Sequence, residues 1–138
     1  MSSTYASTTI TSNTNTELTP IHWTAIGLAA ITGVIHLSLY VTDDWLPFLF
    51  AGVGFLGAIA LFVVLPRHRR PLYVAGMLFT ASQIVGYLLF PMGPLWLGVL
   101  DKAVQIALIV VLGYLFVVET RHTSASRLSA EVTRRGPA

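Results

Sequence analysis

Four long apolar runs dominate the chain, and short polar breaks divide them. The runs cover residues 21–41, 46–65, 72–90 and 97–118. Apolar stretches of about 18 or more residues predict helices that cross a membrane. At about 1.5 Å of rise per residue, each run nearly matches the ~30 Å hydrocarbon core of a bilayer. The breaks TDDWLP (42–47), PRHRRP (66–71) and PMGP (91–94) all carry proline. Proline removes a backbone donor and disfavours helix in the residue before it, so these are predicted helix ends. Connections this short make sequential helices antiparallel. The pattern predicts an all-α membrane fold, an up-down bundle of four transmembrane helices within residues 21–118.

The flanks differ from the runs. Residues 1–20 are rich in Ser and Thr, with Glu17 as the only charge; too little apolar surface is available to offset the entropy of ordering, so a disordered tail is expected. This start lacks the positive region of a signal peptide, and the first apolar run is expected to be retained. Residues 119–138 are expected to form a basic cytoplasmic tail.

Composition supports the membrane class. Of 138 residues, 54% are hydrophobic and 10% charged, against about 25% charged in a soluble domain. There is no cysteine, which excludes disulfides, zinc thiolates, iron–sulfur clusters and thiol catalysis. The net charge of +2 does not indicate nucleic-acid binding, because the basic residues lie beside the membrane spans.

Their distribution sets a predicted orientation. Arg67, Arg69, Arg70, Arg121, Arg127, Arg134 and Arg135 fall on one side of the bundle, leaving only Lys102 of the eight Lys and Arg residues on the other. Basic residues concentrate on the cytoplasmic side, so both termini are expected inside a cell membrane. Trp23, Trp45 and Trp96 fall at span ends, where amphipathic indole rings favour the interface.

Small residues at spacing four supply predicted helix contacts: Ala25, Ala29 and Gly33 in the first run, Gly54 and Ala58 in the second, Ala103 and Ala107 in the fourth. Such stripes let helix backbones approach in lipid. They serve packing within the bundle or assembly into a homodimer or larger membrane complex.

Polar residues inside the runs are the candidate ligand- or ion-binding positions. His36 and Tyr40, Gln83 and Tyr87, and Asp101 and Gln105 are i,i+4 pairs, each sharing a helix face. By depth, His36, Gln83, Asp101 and Gln105 form one layer about 6–12 Å below the outer boundary. Lys102 belongs to it by proximity. Two readings apply to Asp101 and Lys102. In one, Asp101 caps the first turn while Lys102 extends outward to the interface; in the other, Asp101 is a buried carboxylate paired with Lys102 or His36 in a proton, ion or ligand site. The remaining histidines lie too far from His36 to complete a metal set, so neither metal nor cofactor is expected.

The segments GVIHL, RRPLYVAG and LGVLDKAVQIALI give the chain a likeness over residues 21–118. It resembles the small uncharacterised four-helix membrane proteins of halophilic archaea, a resemblance that implies the fold and no activity. The embedded first-span glutamate of small multidrug-resistance transporters is missing here.

The function expected first is that of a non-enzymatic accessory subunit or structural membrane component. The alternative is a small oligomeric proton- or ion-coupled transporter or channel using the outer polar layer. A further alternative is a redox or quinone-binding subunit using His36 and the outer tyrosines.

Overall fold

The computed structural model describes residues 18–135, all of whose regular structure is helical. Of the disordered tail expected over residues 1–20, residues 1–17 lie outside the described residues, as do the last three of the chain, whereas Thr19 and Pro20 belong to the start of the first helix. The helices are α1 (Pro20–Asp43), α2 (Leu46–Val64), α3 (Arg69–Leu89) and α4 (Leu95–Arg135), with a one-turn 3-10 helix at Pro66–His68. All four are long and apolar enough to cross a membrane.

The helix ends follow from local chemistry. Pro20 opens α1 where an intrahelical N–H is not needed. Thr19 caps it, its backbone N–H donating 3.1 Å to Nδ1 of His22. At the other end Asp44 takes a left-handed conformation (φ 48°) and returns its N–H to the Tyr40 carbonyl at 2.9 Å. Three helices begin earlier than the apolar pattern predicts, α1 by a single residue. Helix α3 starts at Arg69 because Pro71 is tolerated within a first turn, and α4 starts at Leu95, directly after Pro94.

Helix α4 is also far longer than its apolar run. Its 41 residues correspond to about 60 Å, roughly twice a bilayer's hydrocarbon thickness. The polar segment from Glu119 to Arg135 is thus a continuation of the last helix.

Packing places the helices in the order α2, α1, α4, α3, with close approaches between those neighbours and only sparse contact between α2 and α3. An added Cβ at Gly33 would lie 3.2 Å from Phe55, and one at Gly52 would lie 3.0 Å from the Gly33 carbonyl. The predicted Ala25 and Gly33 face is therefore consumed inside the bundle, where α1 crosses α2. Gly54 in turn accommodates the Phe79 ring of α3. Ala103 and Ala107 of α4 instead remain exposed.

The molecule has inverted polarity. Phe50, Leu78, Val85, Leu88, Ile106 and Val110 are exposed, whereas Thr32, His36, Thr80, Asp101 and Gln105 are buried. An apolar surface this continuous is suited to lipid, and polar groups in lipid must find their partners within the protein.

Candidate functional site

Helices α1 and α4 meet through a closed polar network. Asp101, seven residues into α4, is 2% exposed, and Gln105 and Thr32 are fully buried. The Thr32 hydroxyl donates to Oδ1 of Asp101 at 2.5 Å. Gln105 lies one helical turn beyond Asp101, so its amide reaches the same place: Nε2 donates to Oδ2 of Asp101 at 2.9 Å and to the Thr32 hydroxyl at 3.2 Å.

Lys102 supplies the compensating charge. Its ammonium pairs with Oδ2 of Asp101 at 2.9 Å and donates to Oε1 of Gln105 at 2.8 Å. It also lies 5.3 Å from the centre of the Tyr87 ring, within range of a cation–π attraction. Both charges are thereby held inside the helix bundle, an arrangement that is costly unless paired and hydrogen-bonded. Neither half of the interfacial reading describes this geometry. Asp101 is too far into α4 to cap it, and it accepts a hydrogen bond from Thr32 of α1; the Lys102 head turns onto Asp101 and Gln105 instead of extending outward.

His36 stands at the edge of this network. Its Nδ1 lies 2.8 Å from the Thr32 carbonyl and 3.8 Å from Oδ1 of Asp101. A carbonyl only accepts, so Nδ1 is the donor in this contact. Phe48 and Phe55 pack around the imidazole, with ring centres 6.0 and 5.9 Å away.

A cavity of about 230 Å³ opens beside the pair, and His36, Gln83, Tyr87, Asp101 and Lys102 all line it. Trp45 and Phe48 from the start of α2 and Phe90 and Met92 beyond α3 complete its wall. Tyr87 seats against α4 because residue 98 is glycine: a Cβ there would fall 2.3 Å from the Tyr87 hydroxyl. The structure thus gathers five of the seven candidate residues around one cavity. Gln105 lies behind it, bonded to the same carboxylate, and Tyr40 is not among its lining residues.

Two participants were not singled out by the sequence pattern. Thr32 holds the centre of the network, and its i,i+4 spacing from His36 was the available signal. Ser82 joins the cavity wall from the turn preceding Gly86.

A second polar group occupies the opposite end of the bundle. His22 Nε2 lies 3.1 Å from the Tyr73 hydroxyl, which sits beside the Glu119 carboxylate. His22 also stacks on Phe62 at 5.8 Å. Arg70 donates to the Glu119 carbonyl at 2.7 Å and to the Thr123 hydroxyl. The predicted topology arginines Arg67, Arg69 and Arg70 cluster at this end, where α3 begins; Arg121 is on α4 nearby in sequence to Glu119 and Thr123. Of the predicted interface anchors, Trp23 and Trp96 are exposed and Trp45 is half-buried against Phe48.

Among the described residues, no group of three or more His, Cys, Asp and Glu side chains could hold a metal ion. The comparisons add no relative: no family model, curated protein or solved structure matches the chain. The likeness to halophile membrane proteins is therefore supported only as far as four apolar helices.

Proposed function

We propose that this multi-pass membrane protein is a small, non-enzymatic, oligomeric proton- or ion-coupled transporter or channel. The observation that carries this reading is the pairing of buried Asp101 with half-buried Lys102, placed with His36 on the wall of a 230 Å³ cavity. A purely structural polar clasp has no need of a cavity on its charged face. An intramembrane carboxylate beside an imidazole offers two groups able to take up and release a proton or to bind a polar solute. Four helices leave little room for a path through one chain, so the reading includes a homodimer. In it, the arginine-rich end and both termini are cytoplasmic and the Asp101 cavity opens outward.

The test is proton flux in proteoliposomes under an imposed pH gradient, read with an internal pH-sensitive dye. Wild-type protein is expected to dissipate the gradient and folded Asp101→Asn protein to leave it intact. Equal leak from both would overturn the proposal.

The accessory-subunit reading draws on a different observation. Beyond the apolar span, α4 continues as an exposed helix carrying Leu128 and Val132, 67% and 72% exposed, one turn apart. That stripe suits a partner protein outside the membrane. Gentle extraction from the native membrane, followed by native mass spectrometry, distinguishes a heteromeric complex from a homodimer.

A further inference from the structure

The sparse contact between α2 and α3 leaves a second opening, separate from the Asp101 cavity. It is a groove of about 460 Å³, within the ordinary size range of ligand sites. Its walls include Gly54, Gly57, Ala58, Ala75, Gly76 and Phe79. Small residues on both helices create the space, and a Cβ added at Gly57 would meet no atom within 4 Å. Both helices are membrane-spanning candidates, so this groove faces hydrocarbon.

Chemistry changes sharply at one end of the groove. Phe62 and Tyr73 also line it, and the Arg69 guanidinium lies over the Phe62 ring at 5.3 Å. Arg67 and His68 are exposed in the same turn, and residues 66–71 contain three arginines and no acid. Arg70 is turned toward α4, onto Glu119 and Thr123, so the exposed positive face of the turn belongs chiefly to Arg67. An apolar slot that ends at a basic turn matches an amphiphile with a hydrocarbon tail and an anionic head.

We propose that the groove between α2 and α3 is a specific site for one anionic phospholipid, with an acyl chain against Gly57 and Ala58 and its phosphate at the Arg67–Arg70 turn. Basic pockets between membrane helices recognise anionic headgroups through this combination. The bound chain completes the α2–α3 interface, which the protein's own side chains leave open. This site is independent of the transport reading and stands or falls separately.

The test is native mass spectrometry of the full chain in detergent with equimolar phosphatidylglycerol and phosphatidylcholine bearing the same acyl chains. One phosphatidylglycerol per chain is expected to be retained in preference. Arg67→Gln should reduce that preference about fivefold, and Gly57→Leu should reduce retention by blocking the tail. Equal retention of the two lipids by wild-type protein overturns the proposal, as does undiminished retention by folded Gly57→Leu protein. Displacement of phosphatidylglycerol by inorganic phosphate alone also overturns it, since the site would then be an anion site without a tail. If Gly57→Leu fails to fold, phosphatidylglycerol carrying a diazirine in its acyl chain decides on wild-type protein. Labelling within 54–58 and 75–79 supports the site; labelling confined elsewhere sinks it.

Discussion

The Thr32 hydroxyl donates to the Asp101 carboxylate at 2.5 Å, tying α1 to α4 inside the apolar bundle. With the acceptor paired to the Lys102 ammonium, this bond belongs to the stronger, charge-assisted class, worth roughly 1.5–3 kcal/mol. Thr32→Val preserves shape while removing the donor and should destabilise the fold by about that amount. Thr32→Ser, which keeps the hydroxyl, should recover most of the loss. Unfolding by denaturing detergent in mixed micelles measures both.

Lys102 offsets the Asp101 charge at 2.9 Å. Removing one member of a buried pair leaves an uncompensated charge, costing about 3–5 kcal/mol. Lys102→Met is expected to lose stability on that scale. The double variant Asp101→Asn, Lys102→Met should be substantially more stable than Lys102→Met alone, because no net charge is then stranded. Strict additivity of the two single changes in a double-mutant cycle would show that the charges are not coupled.

Two glycines of α2 should respond oppositely to enlargement. At Gly52 an added Cβ meets Leu37 at 2.6 Å and the Gly33 carbonyl at 3.0 Å, whereas at Gly57 it meets nothing within 4 Å. Gly52→Ile should force α1 and α2 apart and cost about 1–3 kcal/mol. Gly57→Ile should leave folding stability nearly unchanged. A thermal unfolding series on the two variants tests the contrast.

The absence of cysteine makes the proposed orientation directly accessible. Met92→Cys places a thiol in the α3–α4 connection, and Ser124→Cys places one in the C-terminal extension of α4. In intact cells a membrane-impermeant maleimide is expected to label position 92 and spare position 124 until the membrane is opened. The reverse pattern would place the arginine-rich end outside.

Much of the architecture was legible because lipid imposes a one-dimensional rule. A span must be apolar for about 20 residues and must satisfy its backbone internally, so helix number and approximate limits follow from local sequence. The errors at Arg69 and Leu95 arise where prolines are accommodated in or just before a first turn. The continuation of α4 through Arg135 was missed because a polar helix lacks the apolar periodicity that marks a span.

The site was only partly legible. Its i,i+4 pairs and common depth brought His36, Gln83, Tyr87, Asp101 and Lys102 into one layer, and these residues line one cavity. Depth does not specify rotation about each helix axis, so the same reasoning also included Tyr40. Nor did it distinguish an interfacial lysine from one folded back onto Gln105.

The sequence by itself determined the class: four membrane-spanning candidates, the uneven placement of arginine, and the few polar residues that lipid will not solvate. Only the tertiary structure decided that Thr32 joins Asp101, that His22 meets Tyr73 across 51 positions of sequence, and that α2 and α3 stand apart. Those outcomes depend on how each helix is rotated and which small residues meet. Rotation is set by close packing and hydrogen bonding between helices distant in sequence, whereas the hydrophobic pattern reports burial in lipid and is nearly blind to the partner.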